Sequence, residues 1–287
     1  MSISLSAIHI HPVKSCRAVQ LDRVEVASTG LAGDRLFQVV DSNANPVTQR
    51  QQPLLATVQP TLFDGGLRLE ADGRPSLEVE TPTENDTTAK SLLGVPVEAA
   101  DAGDPAAIWF SDLVGEPVRL VAMTTASDYR LPLPGVEASV SWADAAPVLI
   151  ANQASLDWLA PHADEPFGMD RFRPNLTVTG ADPWAEDTWR DLSIGGARLG
   201  LGLPWPRCAI PQVDQRDGSR HKEPAKVLKA HRWCSDAAAA PEALRPLLEG
   251  NALFGLACSI GPVGVEIGVG DEVAVRETGP ALLAPPR

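Results

Sequence analysis

Short alternations of apolar and polar residues dominate the chain, and they predict strands far more often than helices. Ile3 to Val13 sets Leu5, Ile8, Ile10 and Val13 among polar neighbours and runs into a loop at Pro12. Leu21 to Val26 and Leu36 to Val40 read as further strands, joined by the glycine-rich Gly30-Leu31-Ala32-Gly33-Asp34-Arg35. Asp41 to Pro46 is a turn by composition. Leu67/Leu69 and Leu77/Val79 alternate on either side of Ala71-Asp72-Gly73-Arg74, the pattern of a hairpin.

Two stretches break this rhythm with helical signals. In the first, Asp104 caps, Pro105 suits the opening turn and Gly115 closes, with Ile108, Asp112 and Gly115 on one face. In the second, Gln153 to Ala160 turns Leu156 and Leu159 inward before Pro161 stops it. Strands resume at Asn175 to Thr179, at Leu192 to Ile194 and, after the Gly195-Gly196 turn, at Leu199 to Leu201. A short helix from Pro224 to His231 precedes closing strands at Leu256 to Ile260, Val263 to Val269 and Val273 to Val275, with Gly270-Asp271 as a turn. The pattern predicts a β-dominated α+β protein built on a barrel. It divides into an amino-terminal β-rich module, residues 1–100, and a second domain, 101–287.

A chain of 287 residues can bury a sizeable core. Its net charge of -13 argues against nucleic acid or an anionic membrane as partner, and makes any local cluster of cations informative. There is no basic leader with a long apolar run and no stretch near the ~18 apolar residues of a membrane span. The four cysteines, Cys16, Cys208, Cys234 and Cys258, are widely spaced without a CxxC pair. Such usage fits free thiols in a cytoplasm, and matches neither a tetrahedral zinc site nor an iron–sulfur run.

Candidate chemistry gathers in Trp205-Pro206-Arg207-Cys208-Ala209-Ile210-Pro211, where prolines stiffen both flanks of one cysteine. A thiolate is the nucleophile or metal ligand, and a neighbouring guanidinium favours it. The plain alternative is a buried structural cysteine. A thiol–imidazole pair with His221 or His231 is a further option. His9 and His11 alternate on a strand and offer metal ligands on one face, or are ordinary surface groups. Asp214 and Asp217 either move protons near the sulfur or shape the loop, with Asp217-Gly218 as a turn. Trp184, Trp189 and Trp205 line a substrate mouth or pack in the interior. Cations recur in proline- or glycine-rich loops: Lys14, Arg35, Arg171 and Arg173, Arg207, and Arg232.

Pro12-Val13-Lys14-Ser15-Cys16, Gly30-Leu31 with Asp34-Arg35, and Thr48-Gln49-Arg50 together resemble the amino-terminal MOSC-associated β-barrel module. Phe172-Arg173-Pro174-Asn175, Glu186-Asp187 with Trp189, Arg207-Cys208 with Val213-Asp214 and Gly218, Lys222-Glu223-Pro224, Phe254-Gly255 and Val269-Gly270-Asp271 resemble the MOSC domain. That domain is shared by molybdenum cofactor sulfurase, the mitochondrial amidoxime-reducing component and the YcbX-type reductases. The resemblance spans residues 3 to 276 in order, and it implies a molybdenum cofactor (Mo-molybdopterin) with Cys208 as the metal's protein ligand. Lys14, Ser15, Arg35, Arg173, Asn175, Arg207 and Arg232 match its cofactor-binding positions, and Asp214 is a further catalytic candidate. If so, Lys14 and Arg35 must lie beside Cys208, and the first strand must pack on the carboxy-terminal barrel.

Two departures stand out. Pro206 replaces a small polar residue, and Ala145-Ala146 replaces hydroxyl residues, so contacts there would fall to the backbone. The activity implied is reduction of small N-hydroxylated compounds (amidoximes, hydroxylamines, N-hydroxylated bases). The alternative is a carrier of the cofactor or of sulfur. YcbX-type relatives often carry a ferredoxin domain after the MOSC domain, whereas this sequence stops at Arg287. A separate ferredoxin-, flavin- or cytochrome b5-type electron donor is therefore expected.

Overall fold

The computed structural model describes residues 2–124, 139–144, 146–283 and 286. Its largest sheet runs in the order Val273–Thr278, Trp189–Ile194, Ala197–Pro206, Asn251–Gly261, Val148–Asn152, Leu176–Thr179, Ser4–Ile10 and Val19–Leu21, with Trp233–Cys234 appended to Asn251–Gly261. Neighbours are antiparallel except Val148–Asn152 and Leu176–Thr179, which run parallel. The sheet curls until its ends approach. Leu5 N donates to Asp271 O at 2.9 Å, Gly270 N donates to Leu5 O at 2.8 Å, and Ser4 bridges Glu272. Alternation places Leu5, Ile8, Ile10, Ile150, Leu176, Val178, Leu192 and Leu256 on the inner face, where they form one apolar core.

A second core lies under two smaller sheets. One is Phe37–Val40, Arg119–Ala122, Pro96–Asp101 and Thr87–Lys90; the other is Gln59–Phe63, Gly66–Glu70 and Leu77–Glu80, which contains the expected hairpin. Helix Asp104–Val114 packs on them through Ala106, Trp109, Phe110 and Leu113. The face that carries Ile108 and Asp112 is the outer one, with Ile108 63% exposed, because Ala106, Trp109, Phe110 and Leu113 make the apolar stripe. Gly103 sits at the N-cap, and Gly115, at φ 78°, closes the helix in the left-handed region.

The division drawn at residue 101 does not follow this packing. Ser4–Ile10 belongs to the carboxy-terminal sheet, whereas Asp104–Val114 and Arg119–Ala122 complete the amino-terminal core. Local pattern says that a stretch is a strand, not which sheet it joins. The run from Leu21 to Val26 likewise splits into Val19–Leu21 and Arg23–Ala27, which enter different sheets. Of Val263 to Val269, Glu266–Gly268 alone is strand.

One buried acid gives the fold a pH dependence. Asn152 caps helix Gln153–Leu159 by accepting from Ala154 N at 3.1 Å, while its Nδ2 donates to Glu186 Oε2 at 2.9 Å. Burial first, and the charge of Asp187 second, push the Glu186 carboxyl up to about 7. The folded protein keeps a proton that the unfolded chain sheds near its usual 4.5, so this stability is present below that pH and lost as pH rises through about 7. Glu186→Gln should flatten that loss, on the order of 3 kcal/mol, in urea unfolding compared at pH 5 and pH 8. An unchanged pH profile would contradict it.

Candidate functional site

Strand Ala197–Pro206 leaves the large sheet at Pro206, and Arg207 N makes the last backbone bond, to Ala252 O at 2.8 Å. The chain then turns through Cys208 into the short turn Ile210–Gln212, with Pro211 in its first positions. This places the Cys208 sulfur at the surface of a cavity of about 270 Å³. Lys14, Arg35, Arg50, Arg173 and Arg207 line the same cavity.

Two of these cations, and the serine beside a third, sit on an unusual piece of backbone. Five non-glycine residues among those described have positive φ, and Ser15 (71°), Arg35 (49°) and Arg173 (55°) line this cavity. A non-glycine residue in that region costs of order 1–3 kcal/mol and persists where its surroundings over-determine it. Lys14 N bonds to Phe37 O at 2.8 Å, Arg35 N to His11 O at 2.9 Å and Arg173 N to Asp170 O at 3.2 Å. Asn175 acts as a bracket: its Oδ1 accepts from Leu149 N at 3.1 Å and Arg35 Nη1 at 3.3 Å, and its Nδ2 donates to His9 O at 3.2 Å.

Two carboxylates balance part of the charge. Asp34 pairs with Arg35 and accepts from His11 N at 2.7 Å. Burial alone would raise its carboxyl, but Arg35 and His11 hold it at about 2. Asp144 takes Lys14 on one oxygen and Arg50 Nη2 on the other at 3.0 Å. Burial again pushes upward, and Lys14 and Arg50 overcome it, leaving that carboxyl well below its usual range. Lys14 also donates to Trp142 O at 2.7 Å, and burial lowers its ammonium. Arg173 donates to Cys16 O at 2.7 Å and Gln215 Oε1 at 3.0 Å; burial, then Arg35, draws its guanidinium down to about 9. Among the described residues, Arg173 and Arg207 form no ion pair with a carboxylate.

Seven of the residues singled out by sequence therefore meet in one place: Lys14, Ser15, Arg35, Arg173, Asn175, Arg207 and Cys208. Asp214 and Arg232 do not line this cavity. The Asp214 carboxylate accepts from Arg216 N at 2.9 Å and Arg216 Nη2 at 3.0 Å, and from Arg171 Nη1 at 3.4 Å. Arg216 above all holds it at about 2, so it shapes the loop, as Asp217 does through Ser219 N. Arg232 is buried, bonded to Asp187 at 2.7 and 2.8 Å and lying 4.1 Å over the Trp184 ring. Sequence singles it out as one of the loop cations and as a match to a cofactor-binding position of the family, and cannot show that Asp187 is its partner.

The other candidates resolve as well. His221 bonds to Ser219 Oγ at 2.8 Å and Glu165 Oε2 at 2.9 Å, while His231 stands edge-on to Trp158, so neither pairs with Cys208. His11 is buried against Asp34, and both it and His9 line a different cavity from that of Cys208. Cys16, Cys234 and Cys258 are buried, and desolvation lifts Cys16 and Cys258 to about 12. Trp184 and Trp189 pack in cores, whereas Trp205, Pro206 and Ala146 line the cavity. Ala145 lies outside the described residues. Arg50 and Asp144 were missed as site residues; only the Thr48-Gln49-Arg50 motif carried a signal for the first.

The donor set constrains what fits. Among the described residues, no group of three or more His, Cys, Asp or Glu side chains surrounds a point that could hold a metal. Buried N–H groups of Arg50 (Nη1) and Arg207 (Nε) lack partners. A metal resting on this sulfur must bring its remaining ligands with it, and their carrier should be anionic to meet the guanidinium groups. One soft thiolate among cations suits a metal already ligated by sulfur.

Comparison with known proteins shows the family of the chain. The MOSC N-terminal beta barrel domain matches residues 2–117, and the MOSC domain matches residues 137–274. Mitochondrial amidoxime reducing component 2 of Bos taurus is 32% identical over 283 residues, covering 94% of this chain and 82% of the relative. Mitochondrial amidoxime-reducing component 1 of Homo sapiens is 32% identical, covering 80% of this chain and 72% of the relative. Molybdenum cofactor sulfurase of Danio rerio is 27% identical over 80% of this chain and 31% of its own length.

Proposed function

The chain belongs to the MOSC family, in the branch that joins a MOSC N-terminal beta barrel domain to a MOSC domain, and from this we propose that it is a molybdenum-cofactor-dependent reductase of N-hydroxylated compounds. The observation that supports this most is the convergence of an exposed Cys208 sulfur with Lys14, Arg35, Arg173 and Arg207 around one cavity. Cys208 would be the metal's protein ligand. Arg173 and Arg207, free of carboxylates among the described residues, would take the anionic end of the cofactor. Lys14, Ser15, Arg35 and Asn175 would frame the rest.

The bound cofactor supplies the redox chemistry at the metal. The chain's contribution is orientation and charge: fixed guanidinium groups need no reorganisation as an anion settles among them. Overall, the N–O bond breaks, two electrons and two protons enter, and amine or amidine leaves with water. A separate donor, of ferredoxin, flavin or cytochrome b5 type, would deliver the electrons. Among the described residues no helix is long and apolar enough to cross a membrane. The relatives are named as mitochondrial; for this chain the four free cysteines support a reducing compartment such as the cytoplasm.

Donor dependence tests the reading. Purified, metal-loaded protein should convert benzamidoxime to benzamidine with a reduced viologen or a reconstituted electron-transfer protein, and not with NADH alone. Turnover on NADH alone would overturn the separate donor. The similarity to molybdenum cofactor sulfurase also supports a carrier reading. A carrier would exchange cofactor readily and show no turnover with any donor.

A further inference from the structure

Arg50 belongs to the amino-terminal module, yet it reaches the sulfur. Its backbone accepts from Arg220 Nη2 at 2.6 Å and donates to Thr48 Oγ1 at 3.3 Å, and the side chain of the preceding Gln49 donates to Ser15 O at 2.7 Å and Gln215 Oε1 at 2.9 Å. From that fixed base, Arg50 Nη2 donates both to Asp144 Oδ2 at 3.0 Å and to Cys208 Sγ at 3.3 Å, across 158 positions of sequence. Asp144 is held in turn by Lys14, which is anchored on Trp142 O. The other hydrogen bond to the sulfur among the described residues comes from Ile210 N in its own loop, at 3.5 Å.

A single terminal nitrogen thus bridges a carboxylate and a sulfur, with its direction set by the planar guanidinium. Groups that hydrogen-bond a metal ligand fix its orientation and tune the metal. We propose that Arg50 is a positioning residue for the metal-binding sulfur and Asp144 the fulcrum that aims it, so that the amino-terminal module sets the geometry of a site whose ligand lies in the MOSC domain. This rests on the reading in which Cys208 binds molybdenum. Arg50 would act on the sulfur and not on the substrate. Lysine there keeps the charge and loses the fork, and Asp144→Asn keeps the shape while losing the charge.

The test uses full-length wild type, Arg50→Ala, Arg50→Lys and Asp144→Asn made in cells that synthesise the cofactor. For each, molybdenum per protein, the electron paramagnetic resonance spectrum of partly reduced protein and kcat per bound molybdenum are measured. Arg50→Ala should shift the spectrum and lower kcat per molybdenum by about 10- to 100-fold, the usual cost of losing such a partner. Asp144→Asn should move both the same way, and Arg50→Lys should fall between. Wild-type spectrum and turnover per molybdenum in Arg50→Ala would overturn the proposal, even if that variant holds less metal. Should Arg50→Ala not fold, wild-type behaviour of both Arg50→Lys and Asp144→Asn would overturn it equally. A wild type without molybdenum is a separate outcome that ends the parent reading and this inference together.

Discussion

Cys208→Ala should yield a folded protein that reduces no N-hydroxylated substrate. The sulfur is exposed, and among the described residues its hydrogen bonds are those from Arg50 and from its own loop. Its loss opens no core cavity, so stability should change by within about 0.5 kcal/mol. The functional loss should be complete, because among the described residues lining the cavity no second cysteine, methionine or histidine stands ready to replace the thiolate. Cys208→Ser should fail almost as fully, since a hydroxyl of similar size is a poor partner for a sulfur-ligated metal. Thermal unfolding and benzamidoxime reduction with a chemical donor check both halves. Wild-type turnover in either variant would remove Cys208 from the metal.

Asp187→Ala should be the most destabilising single change considered for the fold. Arg232 and Asp187 are 1% and 4% exposed, and Arg232 already has Nε and Nη1 buried without partners. Removing the carboxylate strands a guanidinium in the interior, at a cost of about 3–5 kcal/mol. Replacing both residues by apolar ones of similar size, Asp187→Leu with Arg232→Met, should cost much less, because no charge is left behind. Urea unfolding of the single and double variants measures this. A single variant as stable as wild type would mean that water reaches Arg232. Molybdenum per folded protein should stay unchanged in the double variant, since Arg232 lies away from the Cys208 cavity.

The two predictions separate what was legible in the residues from what was not. Cys208, Arg207, Arg173, Asn175, Arg35, Ser15 and Lys14 were legible because each sits in a short motif whose order along the chain is itself a signal. Their meeting also required the first strand to join the carboxy-terminal sheet, which it does through Leu176–Thr179. Arg232 carried a similar local signal and lies elsewhere, because its partner Asp187 is 45 positions away and buried. Asp214 was open to two readings, and three N–H donors from Arg216 together with Arg171 favour the loop. Asp144 had no motif of its own; its importance comes from being approached by Lys14 and Arg50, which no spacing rule encodes.

X-ray absorption at the molybdenum edge, on wild type and Cys208→Ser prepared in cofactor-making cells, bears most directly on the account. It predicts metal in the wild type with a sulfur neighbour that the serine variant lacks. Identical sulfur coordination in the two proteins, or a wild type that repeatedly contains no molybdenum, would contradict it.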